Sequence, residues 1–219
     1  MVRPTAVQIE AGRVLIDGDL TIPRRTAGLV VFAHGSRRSR FSRRHQSVAQ
    51  VLQRGGYATL LLDLLTREED AVDEQTREYR FDVDRLGHRV AAAIDWAASH
   101  PETARLPVAC FGASTGAAAA LIAAADRPGI VRAVIARGGR PDLAGYALPK
   151  VQAPTLLIVG GADAPVVELN RAAMRRMRAP VQLEIVPRAT HLFEEPGALE
   201  RVAQLALECC TRYLNALPT

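Results

Sequence analysis

Long apolar runs are missing from this chain, and so is a cysteine framework. The N-terminal stretch MVRPTAVQIEAGRVLIDGDL has no continuous apolar core of signal-peptide length, and the longest apolar segments elsewhere are too short or too interrupted to span a bilayer. A cytoplasmic protein that does not engage a membrane is expected. The 3 cysteines, Cys110, Cys209 and Cys210, make neither a CxxC nor a Cys/His spacing, which argues against a disulfide scaffold and a zinc site. Lysine is nearly absent: of the 28 Lys+Arg residues, all but Lys150 are arginine. The net charge of +5 is too small a surplus to imply nucleic acid by itself. No internal repeat, low-complexity linker or composition break marks a boundary, so the 219 residues are expected to form one domain, 1–219.

What is present is an alternation. Short β-branched or leucine-rich runs recur between glycine or polar punctuation: RVLIDGDLTI, GLVVFAHGS, YATLLLDLL, LPVACFGAS, VRAVIARGG, APTLLIVGG and VQLEIVP. Between them the apolar spacing predicts helices over 42–54, 81–99, 115–126, 166–178 and 197–216. An antiparallel pair is expected near 7–22. The pattern predicts an α/β fold, a mostly parallel sheet of about seven to eight strands with helices on both faces and no cap domain. Ligands of such sheets bind where the carboxyl ends of the strands gather their loops.

Those ends carry the chemistry. His34, Gly35 and Ser36 follow the third strand, Ser114 the fifth, Asp163 the seventh and His191 the eighth. In GASTG, Gly112 and Gly116 flank Ser114 at the turn from strand to helix, which would expose the hydroxyl and aim the helix N-terminus at it. A plain reading makes Ser114 a helix N-cap. A serine hydroxyl is a weak nucleophile without a base, and His191 in ATHLFEEPG is the one histidine both late in the chain and at a strand end. His45, His88 and His100 fall on helices or at a helix end and read as packed or solvated. His34 reads as structural. Asp163 in GGADAPV is the favoured carboxylate, with Asp142 in RGGRPDL as its rival. Backbone amides of Thr115 and of Ser36, or less favourably Arg37, would form an oxyanion hole.

These segments resemble the α/β-hydrolase superfamily, and within it the small, cap-less dienelactone-hydrolase-like group, from residue 29 onward. The order Ser114, Asp163, His191 matches that fold. The resemblance implies a hydrolase without metal or organic cofactor and a small-molecule ester as substrate. Dienelactone hydrolases proper place cysteine at the elbow, and here the position is Ser114, which favours a serine carboxylesterase. Cys110, four residues earlier, reads as a buried structural thiol. A thioesterase or lactone hydrolase would use the same triad. An anion- or nucleic-acid-binding protein is the rival of another class, supported by SRRSRFSRRH with five arginines over 37–44, although Phe41 alone is thin for stacking on bases. Residues 37–54 carry a local charge of +6 and residues 68–84 one of −6. These segments are expected to neutralise one another and to wall the mouth of the site.

Overall fold

The computed structural model describes residues 3–35 and 39–215. Eight strands form one sheet: β1 (Thr5–Ala11), β2 (Val14–Thr21), β3 (Leu29–His34), β4 (Ala58–Leu62), β5 (Val108–Ala113), β6 (Val131–Arg137), β7 (Thr155–Gly160) and β8 (Val181–Val186). Their order is β1-β2-β4-β3-β5-β6-β7-β8. β1 and β2 run antiparallel as expected, and every pairing from β4 to β8 is parallel. After β3 the chain steps outward to β4, then crosses back past β3 to β5, so the sheet reverses its winding between β3 and β5. Such a reversal leaves a crevice outside the strand ends.

The helices are α1 (Arg43–Arg54), α2 (Arg67–Thr76), α3 (Glu78–Phe81), α4 (Val83–Ser99), α5 (Thr115–Asp126), α6 (Ala164–Met174) and α7 (Ala198–Leu214). α1 buries His45, Val48, Ala49 and Leu52 at helical spacing, and with α7 it covers the face presented by Val30, Phe32, Phe111 and Ile135. α4 and α5 cover the other face through Val31, Ala33, Cys110 and Val134. α5 approaches closely because its inner surface is alanine and because Gly87 of α4 leaves room for Ile122, whose Cγ2 lies 2.6 Å from where a Cβ on Gly87 would stand.

The segment 67–80, which the apolar spacing leaves out of any helix, carries α2 and most of α3. Thr66 and Glu69 form a reciprocal capping box: the Glu69 amide donates to the Thr66 hydroxyl at 3.3 Å and the Thr66 amide to the Glu69 carboxylate at 3.0 Å. The long helix expected over 81–99 begins at Val83, after an αL residue, Arg77, that separates α2 from α3. α6 starts two residues earlier and stops four earlier than the expected 166–178.

The two charged segments do not neutralise one another among the described residues. Three acids of 68–84 pair instead with arginines close by in sequence: Glu69 with Arg85 and Arg89, Asp73 with Arg80, Asp82 with Arg85. Partners this near in sequence need little loop closure to meet, and α2 to α4 bring them together. Arg40 turns elsewhere. Its Nε donates to Asp63 at 2.9 Å and its Nη1 to Asp19 at 3.0 Å, with Asp17 at 3.5 Å, tying the 3-10 turn Ser39–Phe41 to β2 and the end of β4. Burial of Asp63 holds its pKa above the ordinary value even against these bonds. Arg44 pairs with Glu194. The two segments do wall a common cleft, described below.

Candidate functional site

The strained residue in GASTG is the serine. Ser114 has φ 53° and ψ −127°, a region a side chain rarely occupies, whereas neither flanking glycine has positive φ. The glycines are needed for contact. A Cβ on Gly112 would stand 2.4 Å from the carbonyl oxygen of Gly116, and one on Gly116 would stand 2.3 Å from that of Ala33 in β3. The elbow therefore presses α5 against two strand ends at once. Ser114 precedes the first residue of α5, yet its side chain makes no capping bond, so the plain N-cap reading is not realised. Thr115 is buried, its hydroxyl packed over Gly35, where an added Cβ would lie 1.7 Å from Oγ1. As the first residue of a helix, its amide has no acceptor within that helix. Ser36 and Arg37, the other amide candidates, lie outside the described residues.

The aspartate and histidine meet because their loops are zipped together. Gly161 and Ala162 donate to the carbonyls of Val186 and Ala189 at 2.8 and 2.9 Å, and Gly160 admits the second loop so closely that a Cβ there would stand 2.3 Å from Ala189 O. Phe193, buried with φ 56°, anchors the far side of His191. His191 Nδ1 then lies 2.7 Å from Asp163 Oδ2. In the tautomer whose Nδ1–H donates to the carboxylate, Nε2 is the acceptor nitrogen. Asp163 caps nothing in α6. Asp142 instead forms a two-pronged pair with Arg140, at 2.9 and 2.8 Å, so of the rival carboxylates it is Asp163 that meets His191.

The loop after β6 bridges the halves of this site. The Arg140 amide donates to the Ser114 carbonyl at 3.0 Å, and a Cβ on Gly138, which has φ 50°, would stand 3.0 Å from the His191 carbonyl oxygen and 3.7 Å from its ring Cε1. These contacts escape a reading of the sequence, although ARGGR places a paired glycine at a strand end as the other two loops do.

His34 meets the buried His45 edge to face at 5.0 Å, consistent with a structural ring. His88 is exposed and His100 stacks on Trp96. Cys110 is fully buried, and burial pushes its thiol up to about 12. Among the described residues no cluster of His, Cys, Asp and Glu could hold a metal, and no helix is long and apolar enough to cross a membrane.

Beside β3 opens a cleft of about 760 Å³, lined among others by Leu15, His34, Arg40, Phe41, Leu65 and Glu68. Its walls are the β1–β2 hairpin and the segments after β3 and β4. The loop after β6 is not among its lining and meets Ser114 instead. The lining reaches His34, the β3 neighbour of Ala113, but stops short of Ser114.

The profile of the dienelactone hydrolase family matches residues 17–217. The chain belongs to the dienelactone hydrolase family. Its fold is that of a dienelactone-hydrolase-like α/β-hydrolase. A dienelactone hydrolase from Anabaena variabilis ATCC 29413, known from a crystal structure, is 54% identical, covers 97% of this chain and 98% of its own, and superposes with a TM-score of 0.94. Est1E from Butyrivibrio proteoclasticus shares the fold at 18% identity, over 94% of this chain and 99% of its own, with a TM-score of 0.75. Two curated relatives from Mycobacterium tuberculosis strains, named as candidate phosphoribosyl transferases, are 55% identical over 206 residues. Those residues are 94% of this chain and 46% of the relatives, so this family member spans about half their length.

Proposed function

We propose that this hydrolase is a serine carboxylesterase acting on small or flexible esters, with Ser114 as nucleophile, His191 as base and Asp163 as the group that orients the imidazole. The observation that carries the reading is the 2.7 Å contact between His191 and Asp163, held by zipped loops at the strand-end edge that also presents Ser114 on a strained elbow. Ser114 Oγ attacks the acyl carbon while its proton passes to His191 Nε2. The carbonyl oxygen becomes an oxyanion facing the Thr115 amide at the N-terminus of α5, with the Ser36 amide as second donor. Collapse expels the alcohol, which takes the proton from His191. Water, deprotonated by the same nitrogen, then releases the acid and restores the serine.

The cleft beside His34 is assigned to the part of the ester farther from the reacting bond. Leu15 and Phe41 there are about half exposed, and its mouth is open, which suits flexible groups. A panel of p-nitrophenyl esters of increasing acyl length, with a thioester and a lactone beside them, tests the reading on wild type and Ser114→Ala. Preferential turnover of the thioester or the lactone would move the assignment to those classes. Turnover unaffected by Ser114→Ala would end it. The transferase name of the M. tuberculosis relatives belongs to proteins about twice this length.

A further inference from the structure

β6 ends on a charge where its alternation calls for an apolar side chain. Ala133 and Ile135 pack into the core beneath α1 and α7, and Arg137 continues their face. It is 6% exposed. Its Nε and Nη1 are enclosed and hydrogen-bonded to nothing, and it forms no ion pair among the described residues. The charged neighbour that acts on it is another cation, Arg44; burial first, and Arg44 second, hold its pKa down to about 10, so it stays protonated at neutral pH. Arg44 has its own counter-charge in Glu194. Arg137 has none. A buried, unneutralised guanidinium costs stability, and a fold that keeps one beside a candidate site has a use for the charge.

Its place in the fold indicates the use. The guanidinium lies 5.6 Å from the centroid of the Phe193 ring, two residues beyond His191. The next residue, Gly138, lies against His191, and across the ladder Arg137 is paired with Ala113, the residue before Ser114. We propose that Arg137 is a fixed positive charge beneath the site, held by stacking on Phe193, that favours the negative charge built on the substrate oxygen when Ser114 attacks. The inference rests on the serine-hydrolase reading above. In a water-poor interior with no anion to cancel it, the field of one cation is weakly screened over the distance between neighbouring strand ends. Arg137 touches neither substrate nor reacting atoms; it is a positioning residue that acts through its field.

Arg137→Met keeps the long stem and removes the charge; Arg137→Lys keeps the charge. On a neutral p-nitrophenyl ester the methionine variant is expected to lose about 10- to 100-fold in kcat, with KM within about twofold of wild type and a Tm no lower. The lysine variant is expected to recover most of kcat. Phenylboronic acid, whose serine adduct is anionic, should bind the methionine variant more weakly by a similar factor. A kcat within about twofold of wild type for Arg137→Met overturns the inference, as does a loss that Arg137→Lys shares, that falls on KM, or that accompanies a lowered Tm. Labelling by a fluorophosphonate separates the two claims. If it fails to label wild type, the serine-hydrolase reading fails; if it labels wild type and Arg137→Met at the same rate, only the role of Arg137 does.

Discussion

Gly116→Ala should damage both stability and activity, although glycine-to-alanine changes in helices usually help. The added methyl would stand 2.3 Å from Ala33 O, 2.6 Å from Ala33 C and 2.7 Å from His34 Cα. All three are backbone atoms of β3, which is paired on both sides, by β4 and β5, and cannot yield cheaply. Ordinary contact requires the helix to withdraw by about 1 Å. Overpacking of this kind costs ~1–3 kcal/mol, against which alanine returns up to ~1 kcal/mol of helix propensity. A net loss of about 1–2 kcal/mol in a chain of this size lowers Tm by roughly 2–8 °C. The same ångström moves the Thr115 amide and the serine relative to the strand ends, and misplacement on that scale costs about 100-fold in turnover. Gly129→Ala is the control, since a Cβ there meets nothing within 4 Å. Thermal unfolding and ester turnover are measured on both. Wild-type Tm and turnover in Gly116→Ala would refute the claim that close approach, not turn conformation, explains this glycine.

Asp163→Asn should cut turnover on the order of 1000-fold by offering the imidazole the wrong partner, while Asp142→Asn, which disturbs only the pair with Arg140, changes it little; steady-state kinetics on both decide. Glu69→Gln should destabilise by about 1–3 kcal/mol at pH 7, because Glu69 bonds Arg89 and closes the capping box. Burial raises the Glu69 pKa, but the bonds and charges of Arg89, Thr66 and Arg85 outweigh it and leave it below 4.5. Its contribution is therefore present above about pH 4.5 and lost as pH falls through the folded value, so denaturation curves of wild type and variant should converge in acid. Arg44→Glu paired with Glu194→Arg should show a coupling of ~0.2–1 kcal/mol, and Arg44→Glu with Glu68→Arg none, in double-mutant cycles. The native thiols should resist a disulfide exchange reagent at pH 7, since burial pushes Cys110 up to about 12 and Cys209 up to about 11; prompt release of thiolate by the folded chain would contradict that burial.

The existence of the strands and the placing of Ser114, Asp163 and His191 at strand ends were legible because each rests on a local signal, an apolar run, a glycine pair or a strand end, whereas the order of the strands in the sheet has no local signal. The sequence favours Asp163 over Asp142 without showing what each touches, since the partner of Asp142 is the side chain of Arg140, two residues before it. α2 was missed because its signal is polar. It has few apolar residues to show a period, and its start is written in Thr66 and Glu69, a capping box read from hydroxyl and carboxylate. Opposite local charges suggested a pairing, but among the described residues Glu69, Asp73 and Asp82 pair with arginines of 80–89. Nothing in VRAVIARGG sets Arg137 apart; only the enclosure of its guanidinium beside Phe193, with Arg44 nearby, distinguishes it from an arginine reaching solvent.

The most direct test of the central claim is mass spectrometry of the protein quenched during turnover of p-nitrophenyl acetate. One acetyl group should be found on the peptide that contains Ser114 in wild type, and none in Ser114→Ala or His191→Ala. An acetyl group elsewhere with Ser114 unmodified, or hydrolysis at the wild-type rate by Ser114→Ala, would contradict it.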